Sequence, residues 1–361
     1  MYGDTIFTSI SRLEQYRKCP FSFYLKYGLN INEKDTFEIQ SIDTGTFMHD
    51  VIDSFFGKIQ DEEINIREVQ EKDLERIISE IIEEKLKLNK NYIFSSTAKF
   101  KTLTLRLKRV LLKSLKYIVE SIQKSDFEVW GHEVEFGKVG QYPAIEVKLE
   151  NGKKVEITGK IDRVDVLKTS DGQYVRIIDY KSSTKDIDLD EVMAGLQIQL
   201  LTYMDAVTKI EDFMPAGALY FNLIEPVIKA DRTTTKEDIE EQIRKQFKMK
   251  GIILADINIV KKMDKELEKG ASNIIPAYID TQNNLSLKRS SVLAQEQFEK
   301  LQEYTLKTVK QISEEIFEGI IDIKPYYKNK KTGCDYCNYK TICQFNSNNN
   351  KYNYIKHFEE L

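Results

Sequence analysis

Two carboxylates and a lysine in this chain are spaced for phosphoryl chemistry. Asp162 stands in Gly159-Lys160-Ile161-Asp162-Arg163-Val164-Asp165, and Asp179 and Lys181 stand in Val175-Arg176-Ile177-Ile178-Asp179-Tyr180-Lys181. Strand side chains repeat every second residue, so Asp179 and Lys181 share a face. Carboxylates on neighbouring strand ends suit Mg²⁺ or Mn²⁺, hard cations that prefer oxygen ligands. A lysine beside them can orient or deprotonate an attacking water and offset charge on a phosphate. The pattern [DE]-x-K alone is weak. It recurs at Glu83–Lys85, Glu146–Lys148 and Asp322–Lys324, where a chance surface pair explains it. Position 179 differs because an apolar strand runs into it, and Asp162 lies near the end of the strand before, across a hairpin turn.

The four cysteines form a second set. Cys334, Cys337 and Cys343 are spaced C-x2-C-x5-C, and Cys19 lies almost the whole chain away. A tight triplet with one remote partner is a ligand set that only the fold can close. The sequence shows no signal peptide and no apolar run long enough for a bilayer, so a cytoplasmic protein without a membrane partner is expected. There, clustered cysteines hold metal or an iron–sulfur centre more often than they form disulfides. Four thiolates by themselves leave zinc and iron–sulfur both open.

These residues need elements to position them. The chain has 361 residues, 41% of them hydrophobic, enough for one large or two ordinary domains. Ser11 and Glu14 have capping-box spacing ahead of an aromatic-rich helix, and Pro20 should kink or restart it. Thr44 to Gln60 reads as a helix, followed by two long helices between Arg67 and Gln123 with a break near Asn89–Ser96. Phe127–Phe136, Ala144–Leu149, Lys154–Val166 and Tyr174–Tyr180 alternate as strands, with turns at Asn151-Gly152 and Asp171-Gly172. Glu191–Lys209 returns to helical period and Gly217–Leu223 is another strand. Thr233–Lys248 and Ser291–Ile316 look helical. The order predicts an α/β fold, a mixed sheet with helices on both faces.

The net charge of −4 excludes a wholly basic nucleic-acid coat but not a local groove. Between Asn91 and Val119 there is no acidic residue. Arg106, Arg109, Lys113 and Lys116 share a helical face there, beside an apolar stripe of Leu103, Leu107 and Val110. A solvated helix face and a phosphate-binding surface both fit this run. No G-x-x-x-x-G-K-[ST] motif occurs, so the chain shows no P-loop of its own.

The order Gly45-x-x-x-His49, Gly159-x-x-Asp162-Arg163-x-Asp165, Asp179-Tyr180-Lys181, Gln199-x-x-x-Tyr203 resembles the RecB-type branch of the PD-(D/E)xK nucleases. Within its iron–sulfur-stapled members, two stretches resemble the AddB-type nuclease domains. One is Ser9-Ile10-Ser11-Arg12-Leu13-Glu14-x-Tyr16-x-x-Cys19-Pro20-Phe21-x-Phe23. The other is Cys334-Asp335-Tyr336-Cys337-x-Tyr339-Lys340-x-Ile342-Cys343. The match covers nearly the whole chain.

The resemblance implies a restriction-endonuclease-like core with helical insertions and an iron–sulfur staple joining the two terminal segments. His49, Asp162 and Asp179 would be metal ligands, helped by the backbone carbonyl of Tyr180. Lys181 would be the catalytic lysine, with Gln199 and Tyr203 supporting the site or touching DNA. Cys19, Cys334, Cys337 and Cys343 would ligate a [4Fe–4S] cluster. The implied activity is Mg²⁺-dependent DNA exonuclease action on single-stranded ends in double-strand-break resection, alongside an AddA-type helicase–nuclease partner.

AddB chains carry a helicase-like region ahead of this domain, so the chain reads as an excised domain or a stand-alone relative. One nuclease domain over residues 1–361 is expected. It divides into a helical segment with the first cysteine (1–43), a core (44–225) with a helical insert (61–125), and a C-terminal helical region with the cysteine cluster (226–361). Two rival readings are a zinc- or iron–sulfur-stabilised DNA-binding module with an inactive site and a nuclease of CRISPR spacer acquisition. The intact His49, Asp162, Asp179, Lys181 set weighs against the first. The long helical insert weighs against the second.

Overall fold

The computed structural model describes residues 3–32, 41–88 and 93–358. Strand β1 (Thr5–Thr8) and helix α1 (Ile10–Lys18) open the chain. Cys19 is extended, and Pro20 starts the short helix α2 (Pro20–Phe23), because proline has no N–H to continue α1 but suits a first helical turn. Helices α3 (Ser41–Asp61), α4 (Glu71–Lys87), the single turn α5 (Ile93–Ser96) and α6 (Ala98–Gln123) follow. Next come β2 (Glu128–Phe136), β3 (Ile145–Lys148), β4 (Lys154–Ile157), β5 (Gly159–Thr169) and β6 (Gly172–Lys181). Helices α7 (Leu189–Met193) and α8 (Gln199–Glu211) lead to β7 (Met214–Asn222). The rest holds α9 (Lys236–Phe247), β8 (Lys250–Leu254), α10 (Ile257–Met263) and α11 (Gln295–Phe317).

The main sheet runs Val292–Leu293, β8, β7, β6, β5, β2. Strands β2, β5 and β6 form an antiparallel meander, and β6 pairs β7 in parallel across the α7–α8 crossover. Helix α8 packs on β6 and β7, and α3 packs on β2. This is the helix-flanked mixed sheet that the sequence predicts. Buried apolar residues from Ile6 to Ile316 form one contiguous cluster. Among the described residues, no helix is long and apolar enough to cross a membrane.

Four local expectations change. Lys154–Val166 is two strands, not one: β4 joins β1 and β3 in a separate small sheet, and β5 starts the main-sheet run at Gly159. A Cβ at Gly159 would fall 2.1 Å from the Tyr203 hydroxyl, so the chain crosses between sheets where no side chain fits. Glu191–Lys209 is two helices, because Gly195 takes φ +79°, a left-handed conformation that ends α7. Residues 226–361 supply β8 and Val292–Leu293 to the main sheet as well as helices. The Ser11–Glu14 capping box does not form. Ser9 is the N-cap of α1 without a side-chain bond, and the Glu14 carboxylate is drawn to free backbone N–H groups elsewhere.

Candidate active site

Sheet register assembles the site. Strand β5 pairs β6 with Arg163 opposite Ile178, so one step on Asp162 stands opposite Asp179. On its other side β5 pairs β2, with His132 opposite Arg163 and Val134 opposite Ile161, so Glu133 faces Asp162. Three adjacent strands thus line up Glu133, Asp162 and Asp179, and Lys181 follows two residues along β6. Helix α3 brings in His49, whose Nδ1 lies 3.3 Å from Asp162 Oδ1. The other Asp162 oxygen accepts a 2.6 Å hydrogen bond from the Tyr180 amide, which fixes the carboxylate. His49, Glu133 and Asp162 each offer a ligand atom within 4.8 Å of the others.

Sequence reasoning missed Glu133. It lies in no motif, and only the β2–β5 register reveals it. Its backbone has φ +49°, a left-handed conformation that a non-glycine residue seldom adopts within a strand. Lys160 forms an ion pair with its carboxylate.

The electrostatics mark a place for a cation. Burial and the charge of Asp162 push the Asp179 carboxyl up to about 6, against the pull of Lys181 and His49. Burial alone would lower the His49 imidazole, but its bond to Asp162 and the two aspartate charges raise it. Burial likewise opposes the Lys181 ammonium, which Asp179 holds charged through an Nζ–Oδ2 approach of 2.5 Å. Lys181 stays partly open to solvent while Asp179 is buried. A divalent ion among these carboxylates would turn like-charge repulsion into attraction. The donor set, one imidazole nitrogen and carboxylate oxygens, suits such an ion.

The other face of the same strands is structural. Arg163 and Arg176 are fully buried and share the Asp165 carboxylate, with Arg176 Nε 2.9 Å from Oδ2, and Arg163 also donates to the Tyr180 hydroxyl at 3.2 Å. Alternation along β5 therefore sends Asp162 to the site and Arg163 and Asp165 into the core.

Gln199 and Tyr203 lie on α8. Tyr203 is buried, hydrogen-bonds Gln199 and the backbone of Lys160, and presses its hydroxyl against Gly159, three residues before Asp162. It braces β5 from the helix side. The start of α8 is held from α1. Glu14 Oε1 accepts from the Ile198 and Gln199 amides at 2.9 and 3.1 Å. Acidic groups are favoured at a helix N-terminus, where backbone N–H groups lack partners.

The cysteines converge at the other end of α1. Cys334 is pushed up to about 11 by burial and by the charges of Cys19, Cys337 and Cys343. The four cysteines therefore lie near one another, although no three of these described sulfurs form a group within 4.8 Å. The tail approaches α1 so closely that a Cβ on Gly333 would lie 2.4 Å from the Lys18 carbonyl. Tyr16 of α1 donates to the Ile320 carbonyl at 3.0 Å, and Tyr339 of the tail donates at 2.9 Å to the carbonyl of Ile31, beyond α2.

The basic residues of α6 meet counter-charge from distant sequence. Arg106 Nε and Arg109 lie 2.8 and 3.4 Å from the two oxygens of Glu225, and Lys116 lies 2.6 Å from Glu71. Lys113 is exposed. The lack of acids along 91–119 is thus partly compensated in space.

A family model of the PD-(D/E)XK nuclease superfamily matches residues 8–344. The chain is similar to proteins named as the B subunit of an ATP-dependent helicase/deoxyribonuclease. It is 41% identical to the one from Acetivibrio thermocellus and 42% identical to the one from Clostridium novyi, each over 96% of this chain and 31% of the relative. It is 38% identical to the one from Caldanaerobacter subterraneus, over all of this chain and 32% of the relative. The chain spans about a third of the length of these relatives. With the matched span reaching from β1 past the last cysteine and enclosing the whole carboxylate site, the chain belongs to the PD-(D/E)XK nuclease superfamily.

Proposed function

We propose that this chain is a Mg²⁺-dependent deoxyribonuclease domain that hydrolyses phosphodiester bonds at single-stranded DNA ends during break resection, within an AddAB-type helicase–nuclease. The observation that carries the reading is the convergence of His49, Asp162, Asp179 and Lys181, from one helix and two strands, on a buried, charge-strained point. His49, Asp162 and Asp179 are the proposed ligands, with the Tyr180 carbonyl and with Glu133 beside them. The cation would supply Lewis-acid charge at the scissile phosphate and lower the pKa of the attacking water. Lys181 orients that water and offsets negative charge as it grows on the phosphate. Asp162, pinned by the Tyr180 amide, keeps its orientation while substrate arrives. Tyr203 and Gln199 hold β5 in register.

Cys19, Cys334, Cys337 and Cys343 are the proposed ligands of a [4Fe–4S] cluster. Four thiolates could also hold a single zinc. What favours a cluster is the C-x2-C-x5-C spacing with the remote Cys19, which resembles the iron–sulfur-stapled nucleases. The relatives' names, which join helicase and deoxyribonuclease, favour a helicase-bearing assembly with an AddA-type partner.

The test is cleavage of end-labelled single-stranded DNA with Mg²⁺, beside a visible spectrum and iron analysis. The wild type should cut and absorb in the violet–blue. Lys181→Ala should lose about 10²–10⁴-fold in cleavage while keeping its fold and DNA affinity. A wild type that binds DNA and Mg²⁺ without cutting would return the site to a degenerate binding module.

A further inference from the structure

A groove of about 510 Å³ begins beside the proposed catalytic residues and ends at Arg106 and Glu225. Its near wall is Ser182, Ser183 and Thr184, which directly follow Lys181, together with Met48, next to His49. Its far wall is the face of α6 that carries Leu103 and Arg106, opposite the segment Leu223–Val227. The three hydroxyl residues are exposed and make no hydrogen bond among the described residues. At the far end the Glu225 carboxylate holds Arg106 Nε at 2.8 Å through one oxygen and Arg109 at 3.4 Å through the other. Glu225 is held there because Val227, two residues on, exchanges two backbone bonds with the Gln246 side chain, at 3.1 and 2.8 Å.

The geometry points to a subsite for one strand of nucleic acid, with Glu225 occupying the position of a phosphate. This inference rests on the nuclease reading and extends it along α6. Arginine guanidinium groups pair with carboxylate and phosphate through the same fork geometry, so one anion can replace the other. Hydroxyls are common phosphate donors, and the aliphatic wall of Met48 and Leu103 can take the face of a base. The groove has the volume of a drug-sized pocket, room for a nucleotide or two but not a duplex. A strand entering past Arg106 and Arg109 must displace Glu225 and release both arginines. It then passes Ser183 and reaches Lys181. Glu225 thus sets a threshold: a weakly held or short strand leaves the arginines engaged, and a strand presenting adjacent phosphates frees them.

Binding is measured separately from cleavage, by anisotropy of a labelled single-stranded oligonucleotide in Ca²⁺, with melting temperature as the check on folding. Glu225→Gln should tighten binding about threefold to tenfold at low salt, and steepen the salt slope by roughly 0.7 per freed arginine. Joined to Arg106→Ala and Arg109→Ala, the same substitution should have no effect. Ser183→Glu, which places a charge in the groove without touching the arginines, should weaken binding. Unchanged or weaker binding by a folded Glu225→Gln overturns the inference. So does a gain that persists without the arginines, or full affinity in Ser183→Glu. In each of those cases a wild type that still cuts DNA leaves the nuclease reading standing. A wild type that neither binds nor cuts DNA with Mg²⁺ removes that reading itself.

Discussion

Asp162 and Asp179 lie within the buried runs 161–167 and 175–180 on adjacent strands of the main sheet, whereas Cys343 lies on a four-residue helix, Lys340–Cys343, that buries nothing. Around the cysteines, Tyr336 is 99% exposed and Ile342 is 51% exposed. The carboxylates are positioned by the sheet, and the surrounding apolar core would hold the strands in place without them. The tail segment buries few residues and is held by a small three-stranded sheet, the ring cluster of Tyr327, Phe345, Tyr352 and Tyr354, the ion pairs of Lys328 with Asp188 and Asp190, and the close backbone approach at Gly333. On the cluster reading, the four thiolates add the remaining tie. A site built into a core loses function when a side chain is removed. A site that replaces a core loses structure.

The sharpest way to break this contrast is at Asp179. Asp179→Ala should reduce cleavage by roughly a thousandfold or more, on the scale expected when a metal ligand and its charge are lost. Its melting temperature without added metal should be unchanged or higher, because the buried carboxyl is raised by desolvation and by Asp162. A large fall in melting temperature would mean that the carboxylate supports the fold and the contrast fails. Calorimetric titration with Mn²⁺ should show the lost ligand directly.

Cys19→Ala should do the reverse. Losing one ligand can lose the whole centre and the folding free energy coupled to it. The closed loop spans most of the chain, and by analogy with a lost long-loop crosslink the cost is about 2–5 kcal/mol. The expected protein is colourless, iron-free and cleaved early by protease in residues 320–358. A variant that keeps its iron and its melting temperature would show that Cys19 is not a ligand.

These two regions are also unequally legible. The strand rhythm around Asp162 and Asp179 and the C-x2-C-x5-C spacing are local patterns, so the sequence displays both. The remote Cys19 is legible because no other cysteine is left to complete the set. Glu133 and Glu225 are not legible, since each acts through register or through a loop's return, which local periodicity does not encode. The split of Lys154–Val166 is hidden for the same reason. Both halves alternate like a strand, and only the packing of Tyr203 on Gly159 shows where one sheet ends. Glu14 misleads because a capping-box spacing can arise by chance, and here a better donor site lies across the fold.

Glu133 sharpens the description of the carboxylate site. Glu133→Gln should weaken Mn²⁺ binding by about tenfold, the lower end for a group beside or just behind a metal. It should leave iron content untouched. The unusual φ of +49° should persist, since β2 still has to pair on both sides of it. Unaltered Mn²⁺ affinity would assign Glu133 to its pair with Lys160 alone.

The smallest effect tests whether the two regions communicate. Helix α1 ends at Cys19 and also carries Glu14, whose carboxylate caps α8, and α8 carries Gln199 and Tyr203. Burial raises the Glu14 carboxyl above its ordinary value of 4.5, with Lys185 and the two backbone amides only partly offsetting it. The folded state therefore holds the proton more tightly than the unfolded chain. Stability from this group is fully present below 4.5 and is lost as pH rises from there through the raised folded value. Glu14→Gln has no such titration, so its melting temperature should gain on the wild type across that window and run parallel to it above. The glutamine still offers an oxygen to the α8 amides, so iron content should be unchanged, while a looser cap should cost cleavage only a few-fold. A melting difference independent of pH would remove Glu14 from the electrostatics of the fold. A cleavage loss that appears only when iron is also lost would make the cysteine centre, rather than the Glu14 cap, the element that positions α8.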